Sequence, residues 1–220
     1  MNSKTKNTNV FMQIIISVLC ALFVQILSLQ PAFAADPVSE ETEGQSVFAR
    51  NQNFDEDGVE LYESNWQMKS FKKFGFGLTM GGITGTLGFN IEANVQPADA
   101  LALGLGGGSG FNAISAAWKH SFQSNYLSLY TKVGYSKWFN TQSASAVAKQ
   151  SDVLSRVLSQ SEITQNRFNV DFLVGGTGFE YNQLEGELSG VNLFAELMAL
   201  TELGRLEVIP TGAVGITYFY

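Results

Sequence analysis

The chain has 220 residues, a net charge of −7 and only 15% charged residues, together with 22 glycines and 12% aromatic residues. The acidic balance argues against nucleic-acid binding, because phosphate recognition requires a basic surface. Charged residues are also too few for the surface of an ordinary water-soluble domain, where about 25% is usual.

The first 34 residues have the composition of a cleaved secretory signal peptide. Lys4 and Lys6 precede an apolar run over residues 10–29, and the run is followed by Pro31–Ala34 with its A-x-A pattern. The alternative is a retained membrane helix, since the run is long enough to span a bilayer. Cleavage would remove Cys20, the single cysteine, so no disulfide, thiol nucleophile or cysteine metal site is expected.

Residues 35–65 are predicted to form an acidic flexible periplasmic tail. They contain nine acidic residues and one basic residue, and they lack apolar periodicity. Asn53–Gly58 has the N-x-D-x-D-G opening of a calcium loop, but position twelve is Ser64 rather than the bidentate Glu. The sequence therefore favours a solvated acidic tail over a calcium site.

Residues 66–220 are predicted to form eight antiparallel β-strands. Apolar residues recur at every second position, turn residues separate the runs, and no long helix is present to make parallel crossovers. Gly81–Gly82 is predicted to close the first hairpin with two residues, which places Lys73 opposite Asn90. Later in the chain, Gly175–Gly178 blurs the alternation and suggests a bulge. The apolar face of the strand before it is assigned to Phe168, Val170, Phe172 and Val174.

The composition of the two strand faces decides the architecture. One face is Leu, Ile, Val and aromatic along nearly every strand, and the other is Gly, Ala, Thr, Ser and Asn with isolated charges. A soluble ligand-binding barrel needs a charged exterior, which this sequence does not supply. Small residues fit the narrow lumen of an eight-stranded barrel, and an apolar exterior fits lipid. The prediction is an all-β, eight-stranded, antiparallel up-and-down transmembrane β-barrel.

The end of the chain carries a further signal. Val214, Ile216, Tyr218 and Tyr220 alternate with smaller residues, and the last strand must pair with the first to close a barrel in lipid. With the signal peptide and the eight strands, residues 66–220 resemble the small bacterial outer-membrane barrels of the OmpA/OmpX type. The resemblance implies that these four residues are the signal read by the barrel-insertion machinery. It implies an outer-membrane location but no single activity, because the family includes anchors, adhesion factors and lipid-modifying enzymes.

Charged residues on the small-residue face form a predicted lumen network. Such a network fits either a salt-bridged plug or an ion pathway, and the plug is favoured because eight strands leave little open space. Its predicted members are Lys73, Glu92, Lys119, Lys132, Arg167, Asp171 and Glu196. Aromatic residues near strand ends are predicted to lie at membrane interfaces. They are Trp118, Phe122, Trp138 and Phe139.

Three other features have weaker functional interpretations. His120, the single histidine, with Ser121 and Ser124 invites comparison with a lipid A deacylase, but an interfacial histidine is favoured because the base would need a carboxylate and an outer-leaflet position. Gly104–Gly110 lacks the lysine of a nucleotide loop and reads as strand-end glycines with a turn.

The segment 140–166 is the longest predicted loop. Val153, Leu154, Val157 and Leu158 recur at helical spacing after Ser151 or Asp152, so a short amphipathic helix capped by one of these two is expected there. These four apolar residues are the candidate recognition surface, with an unstructured solvated loop as the equal alternative.

The sequence as a whole predicts a non-enzymatic outer-membrane protein with a structural or surface-interaction role and a plugged lumen. The alternatives are a narrow pore for small solutes or ions and a lipid-modifying envelope enzyme. No cofactor or metal is expected. The expected partners are outer-membrane lipid, lipopolysaccharide and the barrel-assembly machinery.

Overall fold

A computed structural model describes residues 60–220, which form a closed barrel of eight antiparallel strands. Each strand pairs with the next in the chain, and β8 pairs with β1 to complete the closure. The predicted all-β up-and-down barrel is therefore confirmed. The strands are β1 Phe74–Gly81, β2 Leu87–Asn94, β3 Asp99–Gly108, β4 Phe111–Ser121, β5 Leu127–Asn140, β6 Asn169–Asn182, β7 Val191–Glu202 and β8 Val208–Phe219.

The two ends of the barrel differ in their connections. The turns 95–98, 122–126 and 183–190 lie at the same end as Tyr220, and we call this the terminal end. The opposite end, called the loop end, carries the connections 82–86, 109–110, 141–168 and 203–207.

Side chains alternate between the outside and the lumen along the strands, as the period of two requires. The outward positions carry large apolar residues on every strand. Examples are Leu78, Phe89, Leu103, Ile114, Val133, Phe179, Leu197 and Ile216, all of them exposed. The inward positions are mainly small or polar near the terminal end and apolar near the loop end.

The first hairpin differs from the predicted two-residue turn. Gly82–Thr84 forms a 3₁₀ turn, and Phe74 pairs with Ala93, so Lys73 does not lie opposite Asn90. The turn folds into the lumen and buries Ile83. The Ile83 carbonyl accepts hydrogen bonds from Trp138 Nε1 at 3.0 Å and Ser136 Oγ at 2.6 Å. These bonds satisfy a backbone group that is otherwise enclosed by apolar residues.

The face assigned to the first half of β6 was wrong. Phe168 and the inward strand residues Val170, Phe172 and Val174 are buried, whereas Asn169 is exposed on the outside. No bulge is present, because the pairing of β5 with β6 runs without interruption from Leu127–Tyr181 to Phe139–Asn169. The strand keeps one parity throughout, and it is the environment of each face that changes along its length.

Four short helices complete the described chain. Helix α1, Asn65–Phe71, lies at the terminal end and was not predicted. Helices α2 (Ala144–Gln150), α3 (Asp152–Val157) and α4 (Gln160–Gln165) lie in the long connection at the loop end. Ser151 caps α3, as expected, by accepting the Leu154 amide at 3.3 Å. None of the helices within residues 60–220 is long and apolar enough to cross a membrane.

Candidate functional site

The centre of the lumen holds a chain of buried ion pairs. Lys119 Nζ lies 3.0 Å from Glu92 Oε1 and 2.6 Å from Glu180 Oε2. Glu180 Oε1 in turn lies 2.5 Å from Lys69 Nζ of α1. All four side chains are almost completely buried, so each charge depends on its partners for compensation.

A second ion pair lines the same part of the lumen. Lys132 Nζ is 2.6 Å from Glu196 Oε2, and the Tyr130 hydroxyl donates to the same oxygen at 2.7 Å. Lys132 and Lys119 face each other across β4 and β5, an arrangement that is repulsive for bare charges. Their ammonium groups turn to different carboxylates, and both lie over the Tyr130 ring, at 5.8 and 4.7 Å. The ring adds a cation–π contribution.

A glycine makes room for that ring. An added Cβ at Gly178 would lie 2.7 Å from the Tyr130 hydroxyl oxygen, so any larger residue would displace the tyrosine. The charge network therefore depends on a small residue on β6 as well as on its own members.

The lumen contains a small cavity. A cavity of about 20 Å³ lies between the two ion pairs and the 3₁₀ turn. Thr84 Oγ1, Asn90 Oδ1 and Ser115 Oγ border it and have no hydrogen-bond partner among the described residues. A volume of this size accommodates about one water molecule. It does not provide a continuous path for a solute.

Helix α1 closes the terminal end of the lumen. Asn65 Nδ2 donates to the Phe122 carbonyl at 3.0 Å, and Trp66 Nε1 donates to the Ser121 carbonyl at 2.9 Å. Across the mouth, Lys72 Nζ donates to the Ser189 carbonyl at 3.1 Å. A small apolar cluster, to which the helix contributes Met68, also lies at this mouth. Its members are Tyr62, Met68, Leu184 and Phe219.

The acidic segment before α1 also contacts the barrel. Leu61 forms a β-bridge with Glu185, and the Tyr62 amide donates to the Leu184 carbonyl at 2.9 Å. Glu60 Oε2 lies 3.0 Å from Lys72 Nζ. Residues 60–65 therefore pack on the terminal mouth instead of belonging to a separate tail. The predicted signal peptide, the rest of the tail and the Asn53–Gly58 motif lie outside the described residues.

An apolar core closes the loop end. Trp138 packs against Phe111, with ring centroids 4.8 Å apart, and against Phe172 at 5.1 Å. Helices α2 and α3 cover this core with Ala144, Val147, Leu154 and Val157. Helix α4 is held by a capping box in which Ser159 and Glu162 bond each other's backbone. Together the helices form what we call the helical cap.

The structure brings together four of the seven predicted lumen charges: Glu92, Lys119, Lys132 and Glu196. Lys73 is half-buried at the terminal mouth and pairs with no described carboxylate. Arg167 and Asp171 do not face the lumen. Arg167 is exposed beyond the start of β6, and Asp171 points outward, where it lies 3.4 Å from Lys137 and accepts a hydrogen bond from Tyr135.

Sequence reasoning missed Glu180 and Lys69, the two most deeply buried members of the network. Glu180 stands between the exposed Phe179 and Tyr181, so strict alternation from either neighbour places it inside. The assumed bulge obscured that signal. Lys69 lies on a helix in a stretch assigned to the strand region, and its charge gave no indication of a partner 111 residues away.

The predicted interfacial aromatics divide into two groups. Trp118 and Phe122 are exposed on the outer surface near the terminal end, as an interfacial position requires. Phe139 is half-buried at the loop end. Trp138 is buried in the loop-end core, because its position on β5 has inward parity. The predicted interfacial position of Trp138 was therefore wrong.

The recognition residues predicted in the long loop are not on its surface. Leu154, Val157 and Leu158 are buried, and Val153 packs against the same core. The helical spacing was a core signal, since these side chains seal the barrel. Residues of the cap that do face solvent are polar. Among the described side chains they are Ser145, Asp152, Ser155, Arg156, Gln160, Ser161, Thr164 and Gln165.

The predicted insertion-signal residues lie on the outer face of β8. Val214, Ile216, Tyr218 and Tyr220 are all exposed, and Tyr220 stacks on Phe76 at 5.6 Å. The Tyr220 amide donates to the Phe74 carbonyl at 2.9 Å. Their role in insertion stays a prediction.

His120 has the carboxylate partner that a general base requires, and the hydroxyls of the two nearby serines are hydrogen-bonded to other groups. Its Nδ1 lies 2.8 Å from Asp99 Oδ1, which also accepts a bond from Trp118 Nε1 at 3.1 Å. Ser121 points into the lumen, where Lys69 donates to its hydroxyl, and the Ser124 hydroxyl donates to the Leu127 carbonyl. Within residues 60–220, no group of His, Cys, Asp and Glu is arranged to hold a metal ion.

No protein-family model and no curated protein matches the chain. Among solved structures, the chain is similar to the Yersinia pestis outer membrane protein Ail, whose backbone structure was described in a phospholipid bilayer nanodisc. The two share 14% sequence identity, with 68% of this chain and 99% of that chain covered and a TM-score of 0.36. At this level of similarity the match carries no functional inference for this chain.

Proposed function

We propose that the protein is a bacterial outer-membrane barrel with a closed lumen and a structural or surface-interaction role. The observation that carries the proposal is the inverted distribution of polarity around the wall. Every strand exposes large apolar side chains, while the carboxylates and ammonium groups of the network lie inside. Such a surface is costly in water and favourable in hydrocarbon, and barrel closure leaves no strand edge unpaired.

The lumen supports a closed barrel in preference to a pore. Helix α1 blocks one end, the apolar core and the helical cap block the other, and the cavity between them holds about one water molecule. A conducting path would require the displacement of at least one of these seals.

We expect any surface interaction to use the polar outer side of the helical cap. The buried loop residues cannot contact a partner without opening the core, whereas Arg156 and Gln160 face solvent. The remaining partners in the proposal are membrane lipid, lipopolysaccharide and the barrel-assembly machinery, the last acting through Val214, Ile216, Tyr218 and Tyr220.

An enzymatic role has little support. The pairing of His120 with Asp99 orients the imidazole, but neither nearby serine is available to attack a lipid ester. We therefore expect unchanged lipid A profiles in cells that carry His120→Ala. A loss of one acyl chain that depends on His120 would establish the hydrolase instead.

Membrane fractionation and conductance together test the proposal. The protein should appear in the outer-membrane fraction, require detergent for extraction and migrate faster on gels before heating than after it. In planar bilayers it should give no conductance steps. Recovery in the periplasm without detergent would contradict the membrane location, and steady conductance would contradict the closed lumen.

A further inference from the structure

The strands of the barrel bring unequal numbers of charges to the buried network. Glu92, Glu180 and Glu196 supply three carboxylates, whereas Lys119 and Lys132 supply two ammonium groups. One buried negative charge is therefore left without compensation from the wall. Since an unpaired buried charge is strongly unfavourable, the barrel alone requires a further cation or a proton at this position.

The wall also holds the uncompensated carboxylate in place. Ser128 Oγ donates to Glu180 Oε1 at 3.1 Å, and Asn192 Nδ2 donates to Oε2 at 3.2 Å. Asn182 supports both neighbours, with Nδ2 donating to Ser128 Oγ at 3.0 Å and Oδ1 accepting from Asn192 at 2.8 Å. All these groups belong to β5, β6 and β7, so the site is built without any contribution from α1.

The cation that fills the site comes from outside the sheet. Lys69 Nζ donates to Glu180 Oε1 at 2.5 Å and to Ser121 Oγ at 2.8 Å. Its helix has seven residues and contacts the rim at residues 121–124, and Lys72, directly after the helix, contacts Ser189. Lys69 thus occupies a site in the wall in the way that a tethered ligand does.

We propose that the terminal mouth of the lumen is a binding site for a primary ammonium group, filled in this structure by Lys69 of the same chain. We call Glu180, Ser121 and the residues that position Glu180 the ammonium socket. A lysine side chain on a peptide that approached from the terminal end would compete with α1 for it. The loop end is sealed, so the socket is a blind pocket that is reached from one side only.

The chemistry of the socket selects an ammonium over other cations. An ammonium is a compact charge with three N–H donors, and a carboxylate oxygen and a hydroxyl oxygen accept two of them here. A guanidinium needs a planar bidentate partner, but the second oxygen of Glu180 is already engaged by Lys119 at 2.6 Å.

Chemical rescue of a truncated lysine tests the proposal in the full chain. Lys69→Ala removes three methylenes and the ammonium, which n-propylammonium replaces atom for atom. We expect Lys69→Ala in detergent micelles to unfold at a lower temperature than the unmodified protein. Propylammonium should raise the unfolding temperature of the variant with saturable dependence. The shift should reach about 3–6 °C at roughly ten times the dissociation constant.

Five controls separate the socket from general effects of added amine. Propylammonium should leave the unmodified protein unaffected, because Lys69 fills its socket. It should also leave Lys73→Ala unaffected, because Lys73 is half-buried at the mouth and pairs with no described carboxylate. Propanol lacks the charge, and tetramethylammonium lacks N–H donors, so neither should rescue Lys69→Ala. Sodium chloride controls for ionic strength.

The proposal is overturned if Lys69→Ala folds but propylammonium does not raise its unfolding temperature, or if propanol or Lys73→Ala shows the same shift. Folding of Lys69→Ala only in the presence of the amine would also support the socket. If Lys69→Ala does not fold with or without amine, the double variant Lys69→Ala with Glu180→Gln tests the proposal. A neutral socket should restore folding without any response to amine, and failure of the double variant would show that a missing cation is not the cause.

Discussion

The interior of the barrel is charged in its terminal half and apolar in its loop half, and on β5 and β6 the outer face changes from apolar to polar as well. In the terminal half, Lys119 and Glu180 lie inside while Leu103 and Phe179 face outward. In the loop half, Phe172 and Trp138 lie inside, while on the outside of β5 and β6 Lys137 forms an ion pair with Asp171. The loop half of this hairpin is organised like a soluble protein, and the terminal half like a membrane-embedded one.

This difference shows that an apolar strand face identifies the side that is shielded from water, but only at that height along the barrel. Side chains minimise the exposure of apolar area to water, whether hydrocarbon or a protein core provides the alternative. Strand β6 changes from one arrangement to the other near Gly175–Gly178 with no change of register. We infer that the hairpin of β5 and β6 leaves the hydrocarbon near this level.

The largest expected effect is the loss of the central lysine in the terminal half. Lys119→Met leaves Glu92 without its partner and Glu180 with only one, which should lower the free energy of unfolding by about 3–5 kcal/mol. Urea unfolding in micelles measures the change. The matched variant Lys137→Met breaks the exposed pair with Asp171 and should cost less than about 1 kcal/mol. Equal costs for the two variants would refute the assigned polarity.

A pair of leucines on β7 tests the loop half. Leu200 is 0% exposed in the loop-end core, and Leu197 is 74% exposed on the outer surface. Leu200→Ala creates a cavity and should cost about 2–5 kcal/mol in the same unfolding measurement. Leu197→Ala should change stability much less, since its side chain has few protein contacts to lose. The reverse order would place the outer face of β7 in a protein core.

The helical cap should depend on the capping box of α4. Ser159→Ala removes the hydroxyl that accepts the Glu162 amide at 3.2 Å, with an expected cost of about 1 kcal/mol. The effect should be local, so amide hydrogen exchange of residues 160–165 should accelerate while the strands are unchanged. Ser155→Ala, on the exposed side of α3, is the control and should leave exchange in α4 as it was. Faster exchange throughout the barrel would show that α4 is not a separate unit.

The smallest expected effect is a pH dependence at the terminal mouth. Partial burial raises the pKa of Glu60. The hydrogen bonds from Tyr62 and Lys72 and the charge of Lys72 lower it by a larger amount, so this pKa lies below its ordinary value. The interaction of the Glu60 carboxylate with Lys72 and Tyr62 is therefore fully stabilising above the ordinary glutamate pKa, about 4.3. It is lost as the pH falls through the lowered pKa of Glu60.

Amide exchange of Tyr62 measures this effect, because the Tyr62 amide is bonded to the Leu184 carbonyl. Protection should decrease on acidification in the unmodified protein and should be independent of pH in Glu60→Gln. Loss of protection as the pH rises would contradict the sign of the shift.

Strand number, closure and most outward residues could be predicted from the sequence, because alternation is a local signal. The inward Phe172 and Trp138 could not, since a pattern of period two does not say whether the apolar face meets lipid or a core. The first hairpin was misplaced because Gly81–Gly82 fits a tight turn as well as the 3₁₀ turn that forms. Glu180 was within reach of strict alternation, whereas the role of Lys69 depends on a contact between distant segments that no local pattern encodes.

Contacts between leucine methyl groups and lipid acyl chains test the central claim most directly. Nuclear Overhauser effects measured on the protein in lipid nanodiscs should connect the acyl chains with Leu78, Leu103 and Leu197, which are exposed on the wall. Leu154 and Leu200 should show no such contacts, because they lie in the loop-end core. Acyl-chain contacts at Leu200 together with water contacts at Leu78 and Leu103 would contradict the account.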